Sequence, residues 1–239
     1  MASAPLHRTP GLPARRRRGR PGPAWLRPWL AGWLLAPLLL LLGGLAVAWD
    51  VDRVFEAAAR LGPRAQAGAR ALQPLVERAA RQPELQRLSL INDFFNQRIA
   101  FKDDLETWGK PDYWASPLET LEKGQGDCED YAIAKYFSLL AAGLPEAKLR
   151  LVYVRAMLGG RPQAHMVLAY YAEPEAEPLI LDNLHTAVQP ASSRPDLQPV
   201  FSFNSEGLWQ GVGRSSAGSA VARLSIWREA LAKIKAEGF

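Results

Sequence analysis

The 239-residue sequence has one cysteine, Cys128. It can form no intrachain disulfide and no multi-cysteine zinc or iron–sulfur centre. Three histidines are too few for a His-rich metal cluster. Acidic residues are missing altogether from residues 1–49, which hold seven of the 29 lysines and arginines. The other 22 face all 24 acidic residues, so residues 50–239 are slightly acidic. The overall charge of +5 therefore belongs to an N-terminal arm, and a nucleic-acid-binding role for the remainder loses its electrostatic support. A composition of 48% hydrophobic and 22% charged residues excludes both a disordered chain and a multi-span membrane protein. The sequence shows no internal repeat.

One long uncharged run is present, residues 29–49, with Trp29 and Trp49 at its ends. It matches the ~20 residues a helix needs to cross a bilayer core. Seven arginines precede it, and the positive-inside rule then keeps the N-terminus in the cytoplasm and exports the chain beyond Trp49. Two readings stay open. The run is a transmembrane signal anchor, or it is a signal peptide with an h-region at Leu34–Leu42 and Ala46-Val47-Ala48 as the cleavage signal. Either places residues 50–239 in a bacterial periplasm, tethered to the inner membrane in the first case. The chain then divides into a basic cytoplasmic arm (1–28), the apolar segment (29–49), a helical stalk or linker (50–83) and a folded domain (84–239).

In residues 51–80 helical spacing is broken at Gly62-Pro63. Residues 84–99 place Leu85, Leu88, Ile91, Phe94, Phe95 and Ile99 on one apolar helical face. Residues 102–127 read as a long polar loop with a short helix at Pro117–Lys123, and loops of this length tend to be functional. Asp127 is the expected N-cap and Gly143 the expected stop of a helix that carries Cys128 in its first turn. Strands follow at Leu149–Ala156, Ala164–Tyr171, Leu179–Asp182 and Val200–Phe203, and a helix at Leu224–Ala236 closes the chain. Helices first and an antiparallel sheet afterwards make an α+β pattern.

A thiol attacks as its thiolate, and a helix N-terminus favours that negative charge. Cys128 is so placed, and Gly124 and Gly126 leave its approach uncrowded. Asp127, Glu129 and Asp130 work against the thiolate, and a bound cation is the simplest way to offset them; otherwise they cap the helix and complement its dipole. A nucleophilic thiol needs an imidazole and a group to orient it. His165 and Asp182 lie on expected neighbouring strands and are candidates for that pair in the order Cys, His, Asp; a structural strand histidine and a turn-forming aspartate are the alternatives. His185 is read as a surface residue. Trp108 and Trp114 line the cleft or pack in the core.

The segments Trp114–Leu121 and Gly126–Tyr136 (GDCEDYAIAKY), with AHMVL around His165 and LDN at Leu181–Asn183, resemble the bacterial transglutaminase-like cysteine proteinases over roughly residues 85–212. The resemblance implies a papain-like fold in the transglutaminase arrangement, with the Cys-bearing helix packed on an antiparallel sheet. It implies that Cys128 is the nucleophile, His165 the general base and then acid, and Asp182 the orienting acid. It implies calcium beside the site, with Asp127, Glu129 and Asp130 as ligands and Asp103 and Asp104 as further candidates. The family's periplasmic members cut a large surface adhesin near its N-terminus, at an Ala-Ala bond, and so disperse biofilm; an inner-membrane cyclic di-GMP receptor sequesters them. The resulting expectation is a calcium-dependent periplasmic cysteine endopeptidase. A protein transglutaminase and a catalytically silent binding module are the alternatives.

Overall fold

The computed structural model describes residues 49–213 and 215–239. The basic arm and residues 29–48 of the expected membrane segment lie outside the described residues. Among the described residues no helix is long and apolar enough to cross a membrane. Trp49, expected at the membrane boundary, is instead 5% exposed and packs on Phe239 with ring centroids 5.5 Å apart. An indole this well buried against protein contributes to the core, not to an interfacial belt.

Helices α1 (Val51–Leu61) and α2 (Pro63–Ala80) form where the spacing places them. Asp50 caps α1 by accepting from the Arg53 amide at 3.2 Å. The break at Gly62 has a packing cause. Its φ is +153°, and a Cβ there would collide with Glu122, whose carboxylate accepts from the Ala65 amide at 2.7 Å. Residues 50–83, read as a stalk, contribute Val54, Ala58, Leu72 and Val76 to the main core.

Helix α3 (Glu84–Arg98) buries Leu88, Ile91 and Phe95. Strand β1 (Ala100–Phe101) precedes the long loop, which holds, besides the expected helix α5 (Pro117–Lys123), helix α4 (Asp104–Trp108) and strand β2 (Gln125–Gly126), the last pairing in parallel with β1. A capping box of Ser116 and Glu119, with Pro117 in the first turn, starts α5 at the expected residue. Helix α6 (Cys128–Ala141) follows. It ends in a Schellman motif, in which Gly143 N–H donates to Leu140 O at 2.8 Å and Leu144 N–H to Leu139 O at 3.0 Å.

The strands are β3 (Leu149–Leu158), β4 (Arg161–Tyr170), β5 (Leu179–Leu181), β6 (Gln189–Pro190), β7 (Leu197–Phe203), β8 (Leu208–Gln210) and β9 (Ser216–Gly218). They form one sheet in the order β6-β5-β4-β3-β7-β8-β9, antiparallel throughout. Gly159 (φ +56°) and Gly160 (φ +77°) make the two-residue β3–β4 turn, and that left-handed pair sets the register Leu158↔Arg161. Helix α6 packs on β4 and β3. Helices α7 (Ala220–Arg223) and α8 (Ser225–Glu237) close the chain. Trp227 of α8 is fully buried among Trp114, Tyr136, Phe137 and Phe203. The architecture is thus a Cys-bearing helix on an antiparallel sheet, as expected of an α+β chain.

Candidate active site

Cys128 is the first residue of α6 and is half-buried. Asp127 occupies the N-cap position, but its side chain caps none of the described first-turn amides. The cap is therefore open towards the cleft, which is lined by Cys128, Glu129, His165, Met166, Trp114 and Tyr153 among others. The pairing of β4 with β5 sets Leu168 opposite Leu181. That register brings Asp182, the residue after β5, under the ring of His165 in β4. Nε2 of His165 lies 2.8 Å from Asp182 Oδ1, and both side chains are buried.

Asp182 is held by hydrogen bonds through Oδ1 and its backbone carbonyl, while its buried Oδ2 has an ion pair in place of an aligned hydrogen bond. Its Oδ1 also accepts from the Leu184 amide at 3.1 Å, and its Oδ2 lies 2.8 Å from Arg194 Nη2. Its backbone carbonyl accepts from Lys135 Nζ on α6 at 3.0 Å and from Asn96 Nδ2 on α3 at 2.8 Å. Burial works to raise the Asp182 carboxyl. The bond and charge of His165, the Leu184 amide and Arg194 outweigh it and hold the group at about 2. Burial pulls the Lys135 ammonium down to about 7, against the charges of Asp182 and Asp93. Lys135, Asn96 and Arg194 were invisible to sequence reasoning, because each reaches Asp182 from a distant element.

The acidic residues divide otherwise than expected. Carboxylate oxygens of Asp104, Asp127 and Asp130 lie within 4.8 Å of one another, as do those of Asp104, Asp112 and Glu129, and as do oxygens of Asp127 and Glu129 with the sulfur of Cys128. Asp104 Oδ1, Asp127 Oδ1 and Asp130 Oδ2 are buried with no hydrogen-bond partner among the described residues. The other Asp130 oxygen accepts from the Ala115 amide at 2.8 Å, and the other Asp104 oxygen from the Tyr113 amide. Three clustered carboxylates, each with one orphaned oxygen, are a donor set suited to a hard cation. Asp103, the neighbour of Asp104, lines the cleft outside these clusters. Asp112 went unpredicted, since nothing in its loop spacing marks it. Gly126 does not clear an approach to the thiol; a Cβ there would stand 2.6 Å from Asp130 Oδ2, so the glycine makes room for that carboxylate.

This charge shapes the thiol. Burial first, then the charge and hydrogen bond of Glu129 and the charge of Asp127, push Cys128 well above the ordinary thiol range; a bond from the Met166 amide opposes them. The thiol donates to Glu129 Oε2 at 3.0 Å. Burial and the neighbouring carboxylates likewise raise Asp104 to about 6 and Asp127 to about 9. Trp114 fulfils both of its expected roles: it lines the cleft and stacks on Phe203. Trp108 packs on Tyr113 with Lys123 over its ring. His185 is exposed on the loop after Asp182.

A search of curated protein sequences returns no match. Among solved structures, the chain resembles LapG of Legionella pneumophila, with 38% identity and a TM-score of 0.67 over 77% of this chain and 97% of that one. The EGTA-treated form of that protein matches at 39% identity and 0.69, over 77% and 97%. Its calcium-bound form matches at 38% and 0.66, over 77% and 99%. The family model for the bacterial transglutaminase-like cysteine proteinases matches residues 65–197. Together with the Cys-bearing helix and the antiparallel sheet, these matches establish that the chain belongs to the bacterial transglutaminase-like cysteine proteinases.

Proposed function

We propose that this cysteine protease is a calcium-dependent endopeptidase of the periplasm that uses Cys128, His165 and Asp182. The observation that carries the reading is the His165–Asp182 bond of 2.8 Å on the wall of the cleft that Cys128 also lines. Asp182, ionised, accepts from Nε2–H, so the lone pair of His165 is on Nδ1. Nδ1 takes the Cys128 proton, and sulfur attacks the scissile carbonyl. The C–N bond breaks as Nδ1–H protonates the leaving amine. Water, deprotonated by Nδ1, then cleaves the thioester and releases the acid, and the proton returns to sulfur. The Cys128 amide, at the uncapped helix start, is an oxyanion donor. Membership in a proteinase family favours water over an amine as the acceptor.

The donor set fits calcium. Asp104, Asp127 and Asp130 would hold the ion, with Glu129 and Asp112 beside them. When bound, it supplies positive charge that offsets the carboxylates opposing the thiolate. The calcium-bound form of the Legionella protein supports this assignment. By family resemblance, the substrate is the N-terminal region of a large surface adhesin, and an inner-membrane cyclic di-GMP receptor restrains the enzyme. The test is digestion of an adhesin N-terminal region with an Ala-Ala linker by the full chain, with calcium, with chelator, and with Cys128→Ala. One cut that needs both calcium and Cys128 is expected. A cut that survives Cys128→Ala would sink the mechanism, and one that ignores the chelator would sink the calcium assignment.

A further inference from the structure

We propose that Arg194 is a positioning residue: it keeps the Asp182 carboxylate a pure hydrogen-bond acceptor in one orientation and so fixes which ring nitrogen of His165 is free for the thiol proton. The proposal rests on the roles given above to Cys128, His165 and Asp182. Arg194 follows a single 3₁₀ turn at Ala191–Ser193, on the segment between β6 and β7. Its side chain is 2% exposed and that of Asp182 is 0% exposed.

The donors around the carboxylate decide where the shared hydrogen sits. Oδ1 receives the Leu184 amide at 3.1 Å, and Oδ2 faces Arg194 Nη2 at 2.8 Å. A backbone amide and a guanidinium can only donate. A proton on Oδ2 would point at a cation, and one on Oδ1 would compete with the Leu184 N–H. The hydrogen shared by His165 and Asp182 must then belong to His165, on Nε2. Were Asp182 neutral and donating to Nε2, the ring hydrogen would sit on Nδ1 and the ring could not accept from sulfur.

Arg194 is itself held from outside by a two-pronged bond to Asp196, Nε to Oδ1 at 3.0 Å and Nη2 to Oδ2 at 2.8 Å. The fork sets the guanidinium plane and stops the side chain from swinging away from Asp182. Lys135 cannot do this work, because its ammonium meets the Asp182 backbone carbonyl and not the carboxylate.

The test uses the full chain in detergent, labelled with ¹⁵N-histidine, at about pH 8, above the ordinary histidine range. A long-range ¹H–¹⁵N spectrum reads the His165 tautomer, and iodoacetamide alkylation reads the Cys128 thiolate. The wild type is expected to carry its hydrogen on Nε2. In Arg194→Gln the Nε2–H form gives way to Nδ1–H or to a mixture. Alkylation then slows at least about tenfold, in a step where general-base help is typically worth 10²–10⁴. Arg194→Lys keeps a cation beside Oδ2 and restores Nε2–H. A wild-type ring protonated on Nδ1 would overturn the proposal. So would a folded Arg194→Gln that retains Nε2–H and wild-type alkylation. If Arg194→Gln does not fold, the wild-type spectrum and Arg194→Lys decide; a folded Lys variant without Nε2–H refutes the role of charge. Neither readout needs a protein substrate, so an error in the protease assignment would appear separately, as absent cleavage with these results intact.

Discussion

Replacing Asp127 by Asn should change stability in opposite directions with and without calcium. Oxygens of Asp104, Asp127 and Asp130 lie within 4.8 Å of one another. At that separation two unit charges repel by about 3 kcal/mol at an effective dielectric constant near 20. Partial protonation relieves much of this, and a residual penalty on the order of 1–2 kcal/mol stays in the calcium-free protein. Asn has the same shape without the charge. With chelator present, Asp127→Asn should therefore raise Tm by about 2–8 °C, at roughly 2–4 °C per kcal/mol for a domain of this size. Calcium at a hundred times its Kd stabilises the wild type by about 2.7 kcal/mol, and the variant, having lost a charged ligand, should forfeit most of that gain. The two proteins exchange rank when calcium is added. Calorimetry of the full chain with calcium and with EGTA measures it. A variant less stable than wild type in EGTA, or one whose calcium-induced shift equals the wild type's, would refute the idea of converging, mutually repelling carboxylates.

Three further outcomes rest on the packing. Gly126→Ala places a methyl 2.6 Å from Asp130 Oδ2; isothermal titration should show calcium affinity down by about tenfold or more, or ~1.4 kcal/mol, with the circular dichroism spectrum unchanged. Trp227→Ala empties the centre of the aromatic cluster on Phe203 and Phe137 and should cost about 3–5 kcal/mol in urea unfolding. Glu237 accepts from Ser116 at 2.8 Å, and burial raises its carboxyl to about 7. Because the folded value lies above the unfolded one, its contribution is complete below the ordinary carboxylate range and fades as pH rises towards 7. Glu237→Gln should remove about 2 kcal/mol of that fall, read as a smaller difference between urea midpoints at acid and at neutral pH.

Residues whose role is set by their own neighbours in sequence were legible beforehand. The Cys128 helix, its stop at Gly143, the short helix at Pro117–Lys123 and the two strands of the β3–β4 hairpin all arise from signals within a few positions. His165 and Asp182 were candidates from the order of the strands, and the family resemblance, not the pattern alone, joined them as a pair. The rest depends on chain that returns from far away. Asp104 was named beforehand, but Asp112 joins Asp104 and Glu129 only because the loop folds back between β1 and β2, and Arg194 reaches Asp182 only because the segment before β7 returns past β5. Trp49 misled because an uncharged run has no internal mark for where it ends; only its contact with Phe239 shows that the last residue belongs to the domain.

The stitching of Trp49 to Phe239 has a mechanical meaning. The Asp50 amide donates to the Gly238 carbonyl, and Arg53 reaches the carbonyls of Lys235 and Ala236, each at 3.1 Å. The two ends of the domain are one corner, a common arrangement in single domains. Tension arriving through the residues before Trp49 would be borne at that corner, as shear between α1 and α8. The contacts of that corner are separate from the β4–β5 ladder that sets His165 against Asp182.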